Sequence, residues 1–296
     1  MYATLYYMSN FPDIKWNLGK YVEDFTNWFQ DTFSNQLGSL SDGVLWLLMK
    51  IEATLLFLPW WLILLIVFIA GTFYRNFLSG VFYAFMLFLI GAFGYWELMV
   101  YTLAIVLASV LISILLGVPF GVLTSYSRRL EAMLRPILDA MQTMPSFVYL
   151  IPAMMFFGMG KVPAVFATII YALPPVIRLT TLAIREVPKE MVEAAQSFGS
   201  SKWQILKKVQ LPQALPTIMT GINQTTMMAL SMVVVASMVG AKGLGMEVLT
   251  SINRIDISKG FESGIAIVFL AIIIDRVSQG AVDRSQNKQK KKPQSK

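Results

Sequence analysis

Long intervals without a charged residue dominate the sequence from residue 53 onward. About 20 apolar residues cross the hydrocarbon core of a bilayer, and seven intervals are interpreted as spans on that basis. They lie between residues 52 and 75, 75 and 97, 97 and 128, 139 and 161, 162 and 185, 208 and 242, and 262 and 275. The seventh is short, and the fifth must accommodate Arg178. The pattern predicts an all-α integral membrane protein with about seven transmembrane helices.

The composition excludes several classes of soluble protein and enzyme. Hydrophobic residues make up 56% of the 296-residue chain and charged residues only 14%, whereas a soluble domain carries about a quarter charged residues. The chain has no cysteine, which excludes disulfide scaffolds and thiolate metal sites. It has no histidine, which excludes a Ser-His-Asp relay and an HExxH zinc helix. We therefore expect no catalytic residue and no metal or cofactor site.

Lysine and arginine residues gather in three regions on one side of the predicted spans. These regions are residues 128–135, 185–208 and 281–296. Because short loops rich in these residues stay in the cytoplasm, the C-terminus is predicted to be cytoplasmic. With seven spans the N-terminus is then outside. The expected location is a cell membrane, crossed several times.

The two ends of the chain have different patterns. Apolar residues recur at helical spacing within 18–29 and 37–51, which predicts amphipathic helices in the region 1–52. These helices either lie in the membrane interface or pack on the spans as a scaffold. The tail 281–296 carries six Lys/Arg against one acid, and it is either a solubilising end or a segment attracted to anionic lipid. Nucleic-acid binding is not expected, because no aromatic residues interleave with these charges.

A polar segment between the fifth and sixth spans, residues 185–212, carries a spaced pattern. Glu193-Ala194-Ala195 is followed by three residues and Gly199, then by nine residues, Val209, one residue and Leu211-Pro212. Gly199 predicts a turn after a short helix. The two alanines leave room for another surface to approach the backbone. Pro212 predicts the end of a second helix. The alternative interpretation is a re-entry loop with an interfacial helix.

This spacing resembles the signature loop of ABC importer permeases, with Val209 where isoleucine is usual. Residues 139–180 and 221–249 are similar to the permeases of glycine betaine/proline betaine importers, and the resemblance covers roughly residues 95–280. It implies a type I ABC importer permease architecture. The implied parts are an extracytoplasmic amphipathic region at 1–52, two scaffold helices at 53–94, a permease core at 95–280 with a coupling loop at 185–212, and a basic cytoplasmic tail at 281–296.

The resemblance also implies a function and partners. The chain is expected to be the transmembrane subunit of an ATP-driven bacterial importer of glycine betaine or a related quaternary-ammonium osmoprotectant. The implied partners are a cytoplasmic ABC ATPase that binds ATP and Mg²⁺, a separate substrate-binding protein outside, a second permease copy in a homodimer, and membrane lipid. The chain itself has no GxxxxGK[ST] phosphate loop. Alternatives are a permease for methionine, taurine or a sulfonate, and a stand-alone carrier.

The residues that the resemblance implies for coupling to the ATPase are Glu193, Ala194, Ala195, Gly199, Leu211 and Pro212. Glu193 is expected to make a polar contact with the ATPase, although an acid near a helix N-terminus is also favoured by the helix dipole. The alanines and Gly199 are expected to provide close approach and turn geometry. No substrate-binding residue is named, because selection is expected to belong to the external binding protein.

Three intramembrane features carry further expectations. Gly117 and Gly121 in the third span are expected to form a helix-packing face, with a kink as the alternative. Arg178 is expected to snorkel to the cytoplasmic interface, with a gating role as the alternative. Prolines are expected to break the fourth and fifth spans. They are Pro145, Pro152, Pro174 and Pro175.

Overall fold

The computed structural model describes residues 17–290, with side chains described for residue 17 and residues 19–283. The predictions for residues 1–16, for residues 291–296 and for the basic side chains from 284 onward lie outside the described residues. The described part of the chain is helical and contains no strand. Its α-helices are α1 (Leu18–Phe57), α2 (Trp60–Tyr74), α3 (Phe77–Ala92), α4 (Trp96–Tyr126), α5 (Arg128–Thr143), α6 (Leu150–Phe157), α7 (Lys161–Arg185), α8 (Lys189–Ser197), α9 (Lys202–Ile205), α10 (Leu211–Ala236), α11 (Leu244–Arg254) and α12 (Ile257–Lys290).

Three short segments of other helical types complete the chain between these helices. They are 3₁₀ turns at Ser146–Tyr149 and Ser237–Val239, and a π-helical turn at Leu206–Gln210. Contacts divide the described residues into two units, with the boundary between residues 40 and 41. In the first unit, the rings of Phe29 and Phe33 lie 4.7 Å apart, and the backbone of Phe33 is non-helical. The boundary expected at residue 52 falls inside α1, which continues to Phe57.

Four described helices are long and apolar enough to cross a membrane singly: α4, α7, the continuous helix Lys202–Val239, and α12 as far as Asp283. Two bent pairs, Gly19–Phe57 with Trp60–Tyr74 and Arg128–Thr143 with Ser146–Phe157, raise the number to six if each pair is one span. The remaining predicted span is α3, which has 16 residues and is therefore about 24 Å long. That is shorter than the hydrocarbon core of about 30 Å, so the described helices give four to six spans by length where the sequence predicted about seven.

Proline accounts for the two bends and leaves α7 continuous. The first pair bends by 96° at Pro59, which precedes α2. The second bends by 112° at Pro145, after Met144 in the extended conformation that a residue before proline favours. The predicted break at Pro145 is confirmed, whereas Pro152 lies within α6 and does not break the span. Pro174 and Pro175 lie inside α7, so the predicted break of the fifth span was wrong. Helix α7 is packed between α4 and α10, and these neighbours hold it helical.

The interfaces of α7 depend on small residues. A Cβ atom added to Gly117 would lie 2.3 Å from Cγ1 of Val176, and one added to Gly121 would lie 2.6 Å from Cβ of Thr180. On the other side of α7, a Cβ added to Gly221 would lie 3.0 Å from Cβ of Leu179. The predicted packing face of the third span is confirmed. Close backbone approach of this kind is how membrane helices associate, because lipid offers no hydrophobic driving force between them.

Candidate functional site

The loop between α7 and α10 folds as a short helical hairpin, here called the polar hairpin (residues 189–205). Helix α8 ends at a turn in which Gly199 has a φ of +76°, a conformation that only glycine adopts without strain. The N–H of Gly199 donates to the carbonyl of Gln196 at 2.8 Å, and the N–H of Ser200 donates to that of Ala195 at 3.1 Å. These bonds satisfy the last carbonyls of α8. The turn predicted at Gly199 is confirmed.

Helix α9 begins with a reciprocal cap. The backbone N–H of Gln204 donates to the hydroxyl of Ser201, and the side chain of Gln204 accepts from the backbone N–H of Ser201 at 2.8 Å. This capping box satisfies two free N–H groups of a very short helix. The turn and the second helix of the hairpin are therefore stabilised by their own local hydrogen bonds.

The structure places the six predicted coupling residues in two groups. Glu193 and Ala194 are exposed on α8 and Ala195 is half-buried beside them, with exposed Gly199 at the turn. Leu211 and Pro212 lie away from this group, at the start of α10. Helix α8 begins at Lys189 and its first-turn acid is Glu190. The helix-dipole alternative therefore fits Glu190 better than Glu193, and the coupling role of Glu193 stays a prediction.

Pro212 does not end a helix, so that expectation was wrong. The chain continues as one helix over Lys202–Val239, and the π-helical turn Leu206–Gln210 lies just before the proline. In this turn the N–H of Leu211 donates to the carbonyl of Leu206, five residues earlier. A proline has no N–H to donate and its ring crowds the preceding turn. The wider π turn provides the space that an α-helical turn would not.

Two side chains join the loop to the end of α4. The hydroxyl of Tyr126 donates to Oε1 of Gln210 at 2.5 Å. Arg185 donates from Nε to the carbonyl of Ser125 at 3.0 Å and from Nη2 to that of Thr124 at 2.9 Å. It also forms an ion pair with Glu131 of α5. The carbonyl of Thr124 also accepts from the N–H of Ser127 at 3.2 Å. Arg185 adds to this a second donor to Thr124 and one to Ser125, and so joins the last residue of α7 to the end of α4.

Open space surrounds these few connections. A cavity of about 570 Å³ is lined by Tyr126, Gln210 and residues of α8 and α9. A second, of about 300 Å³, shares Tyr126 and Gln210 and extends to Arg185 and Glu193. The cavities lie between the hairpin and Tyr126 at the end of α4, while Ile205 of the hairpin is buried, at 4% exposed.

Two exposed aromatic side chains on the hairpin were not identified from the sequence. Phe198 is 90% exposed beside the turn, and Trp203 is 67% exposed on α9. Both are large apolar side chains exposed on an otherwise polar loop. The signal was present in the sequence, as two aromatic residues within a charged loop on either side of a turn glycine. The described residues contain no group of three or more acids that could hold a metal ion.

Residues 109–291 match the family described as the inner membrane component of binding-protein-dependent transport systems. The chain belongs to this family. The match covers α7, the polar hairpin and α10 together, so the hairpin lies inside the family's own region. The resemblance inferred from the loop spacing is confirmed at the level of the family, and the chain is a multi-pass membrane component of a transport system.

Three curated relatives are named as glycine betaine permeases. The chain is 46% identical over 282 residues to the glycine betaine/carnitine transport permease protein GbuB of Listeria monocytogenes, covering 92% of this chain and 97% of that one. It is 44% identical over 263 residues to the glycine betaine transport system permease protein OpuAB of Bacillus subtilis, covering 88% and 93%. It is 53% identical over 190 residues to the glycine betaine/proline betaine permease ProW of Escherichia coli, covering 64% and 54%.

Solved structures support the fold. The inward-facing MetNI methionine ABC transporter matches with a TM-score of 0.58 and 23% identity, covering 62% of this chain and 93% of that one. An amino acid ABC transporter crystallised with histidines matches with a TM-score of 0.53 and 20% identity, covering 72% and 98%. At these identities the likeness shows the fold alone. It confirms the type I ABC importer permease architecture predicted from the sequence.

Proposed function

We propose that this chain is the transmembrane permease subunit of an ATP-driven importer that takes up glycine betaine or a related quaternary-ammonium osmoprotectant. The observation that carries the proposal is the 46% identity to a glycine betaine/carnitine permease over 92% of this chain. A match that runs through nearly the whole chain includes the helices that line any pathway, not the loop alone.

The polar hairpin is the part of the chain that contacts the ATPase and is moved by it when ATP is bound and hydrolysed. In this proposal the ATP and Mg²⁺ belong to a separate cytoplasmic ATPase, and Glu193, Ala194, Ala195 and Gly199 lie at its contact with the hairpin. Leu211 and Pro212 continue the same element into α10. The exposure of Phe198 and Trp203 supports a protein partner on this surface.

A displacement of the hairpin has two routes into the membrane helices. One runs through the π turn into α10, and the other through Tyr126 and Arg185 to the end of α4. Because α4 and α10 both pack against α7, moving either changes the packing of the central helix. This supports a mechanism in which closure of the ATPases switches the access of the pathway from one side to the other.

A second permease copy is proposed as the partner that completes the pathway. Exposed apolar side chains lie on α5, at Met133 and Ile137 one turn apart, and beyond its end, at Met144 and Phe147. A separate binding protein delivers the cargo from outside, and the termini follow the positive-inside rule, with the N-terminus outside and the C-terminus cytoplasmic. The region 1–52, the scaffold 53–94, the core 95–280 and the tail 281–296 are proposed as the parts of this subunit.

The test is uptake of labelled glycine betaine at high salt in cells that lack their own betaine importers. The cells express this chain with a cognate ATPase and binding protein, each of which is also omitted in turn. The variant Gly199→Asp places a charged side chain at the tip of the hairpin. Gly94→Asp is the matched control, because Gly94 also has a positive φ, is exposed, and has no atom within 4 Å of an added Cβ.

Uptake that needs all three chains, collapses in Gly199→Asp and persists in Gly94→Asp supports the proposal, provided that the two variants reach the membrane in equal amounts. Uptake by this chain alone overturns it in favour of a stand-alone carrier. Uptake of methionine, taurine or a sulfonate in place of betaine keeps the coupling mechanism and replaces the cargo.

A further inference from the structure

An ion pair joins the second half of α7 to α5. Nη2 of Arg178 donates to Oδ1 of Asp139 on α5 at 2.5 Å. Arg178 lies seven residues before Arg185, the last residue of α7, and so about 10 Å from the end of that helix. The pairing differs from the expected snorkelling, because the guanidinium finds an acid on a neighbouring helix before it reaches the end of α7.

The pair is open on one side. The side chain of Asp139 is 54% exposed and that of Arg178 is 37% exposed. Charged groups within membrane segments almost always face a water-filled cavity or another protein surface, and they often mark a substrate pathway. The open side of α5 and α7 is therefore a side that meets water or protein, not lipid chains.

A cavity of about 320 Å³ lies between α5 and α7, and Arg178 lines it whereas Asp139 does not. Its wall includes Arg178, Arg135 and the ion pair of Arg185 with Glu131, and so presents charges of both signs. Leucine side chains supply the apolar part of the wall: Leu134, Leu138, Leu179 and Leu182. The volume is at the small end of the range of ligand sites, which begins at about 300 Å³.

Two basic groups at this cavity retain unused capacity. Nε of Arg178 is buried and has no hydrogen-bond partner among the described residues. Arg135 has no ion-pair partner among the described side chains. Because Nε is enclosed by protein, an anionic group that entered the cavity would meet the exposed part of the Arg178 side chain and Arg135.

We infer that this α5/α7 cavity is a transient binding site for a small zwitterion. The inference rests on the proposed function and goes further, since it names residues for the cargo. The carboxylate of the cargo pairs with Arg178 and Arg135. The quaternary ammonium cannot donate a hydrogen bond, so it lies against the leucines and within the field of Glu131. Binding must be weak, because a transport pathway has to release what it holds.

Both signs of charge are needed for this selectivity. A simple anion would be attracted by Arg178 and Arg135 but repelled by Glu131, whereas a simple cation would be attracted by Glu131 and repelled by the two arginines. A zwitterion of the right length pairs with the arginines and with the acid at once. The site is therefore selective because it binds the zwitterion more tightly than it binds either simple ion.

The absence of cysteine from the chain makes a direct test available. Leu182→Cys places one thiol on the cavity wall, at a position 46% exposed. Lys208→Cys is the control, because Lys208 is exposed and lies outside the cavity. Each variant is assembled with the ATPase in proteoliposomes, and the rate of modification by a trimethylammonium-bearing thiosulfonate is measured with and without glycine betaine.

Glycine betaine should slow modification of Leu182→Cys about twofold at a concentration equal to its Kd, and more above it, because bound and free states compete by mass action. Tetramethylammonium and acetate, each carrying one half of the zwitterion, should protect far less. Protection should be lost when Arg178→Gln is combined with Leu182→Cys, and Lys208→Cys should react at the same rate throughout.

Unchanged modification of Leu182→Cys in the presence of betaine overturns the inference. Protection that survives Arg178→Gln overturns the role of Arg178, and Arg135→Gln replaces it as the test variant if Arg178→Gln does not assemble. Uptake by the unmodified importer is measured in parallel. Uptake without protection supports the proposed function and refutes the binding site. Protection without uptake supports the binding site and refutes the proposed function.

Discussion

Nζ of Lys161 lies 2.7 and 2.6 Å from the two carboxylate oxygens of Glu52, and so ties the last part of α1 to the first residue of α7. Glu52 is only 8% exposed, and Lys161 also lies 4.9 Å from the centre of the Tyr101 ring on α4. Three helices therefore meet at one cation. The N–H of the adjacent Gly160 donates to the carbonyl of Val239 at 2.8 Å, which brings the end of the Lys202–Val239 helix to the same place.

The first prediction concerns this ion pair. Glu52→Gln leaves the ammonium of Lys161 without its carboxylate, and we expect a loss of about 2 kcal/mol in stability, the value of a hydrogen bond to a charged group. Thermal unfolding in detergent measures it. The exchanged pair Glu52→Lys with Lys161→Glu should recover part of the loss, and a double variant no better than either single one would contradict the pairing.

A second prediction concerns the α4–α7 interface. Gly117→Ala places a Cβ 2.3 Å from Cγ1 of Val176, and overpacking of this kind costs about 1–3 kcal/mol. Adding Val176→Ala removes the clashing methyl and should restore most of the stability. Gly43→Ala in α1 is the control, because an added Cβ there has nothing within 4 Å, and it should be neutral or stabilising since alanine is the better helix former. Equal losses in the two single variants would argue against a packing role for Gly117.

The membrane helices and their packing could be predicted from sequence because both depend on local chemistry. Charge-free intervals identify apolar helices, and Gly117 and Gly121 recur four residues apart on one face. The break of α5 from α6 was also predictable, since Pro145 cannot continue a helix. Pro174 and Pro175 give the same local signal and yet stay helical, because α4 and α10 pack on that segment. The packing of distant helices decided that case.

The ion pairs between helices, in contrast, join residues that are far apart in the chain. Glu52 and Lys161 are 109 residues apart, and Arg178 finds Asp139 only because α5 folds back along α7. No periodicity within one helix indicates such partners. The hairpin was predictable because its signals are local: a turn glycine and a spaced pattern within about two dozen residues. Its exposed Phe198 could have been noted in the same way.

A third prediction concerns the Tyr126–Gln210 contact. Tyr126→Phe and Gln210→Leu each remove one partner of a 2.5 Å hydrogen bond, and the pair should show a coupling energy of about 1 kcal/mol in a double-mutant cycle. In the assembled importer, Tyr126→Phe should lower cargo transported per ATP hydrolysed more than it lowers ATP hydrolysis, because the π turn that follows the hairpin loses its hydrogen bond to α4. Tyr74→Phe serves as the control, being far along the chain from the loop. A fall in both rates by the same factor would assign Tyr126 to assembly rather than to transmission.

The last prediction tests the exposed aromatic surface of the hairpin. Phe198→Ala should leave the thermal stability of the isolated permease unchanged, because a side chain that is 90% exposed contributes little to the fold. If the ATPase covers it, the same substitution should weaken association by about 2 kcal/mol or more, as a buried aromatic anchor does. Phe57 is also 90% exposed and lies at the end of α1, so Phe57→Ala is matched in residue type and exposure but not in place. Titration of the ATPase into permease in nanodiscs measures the affinity of both variants.

Equal affinity of Phe198→Ala and the unmodified permease would mean that the partner contacts the hairpin through Glu193 and the alanines alone, with Phe198 left in water. A loss shared by Phe57→Ala would mean that the effect comes from apolar surface in general, because that side chain lies outside the hairpin.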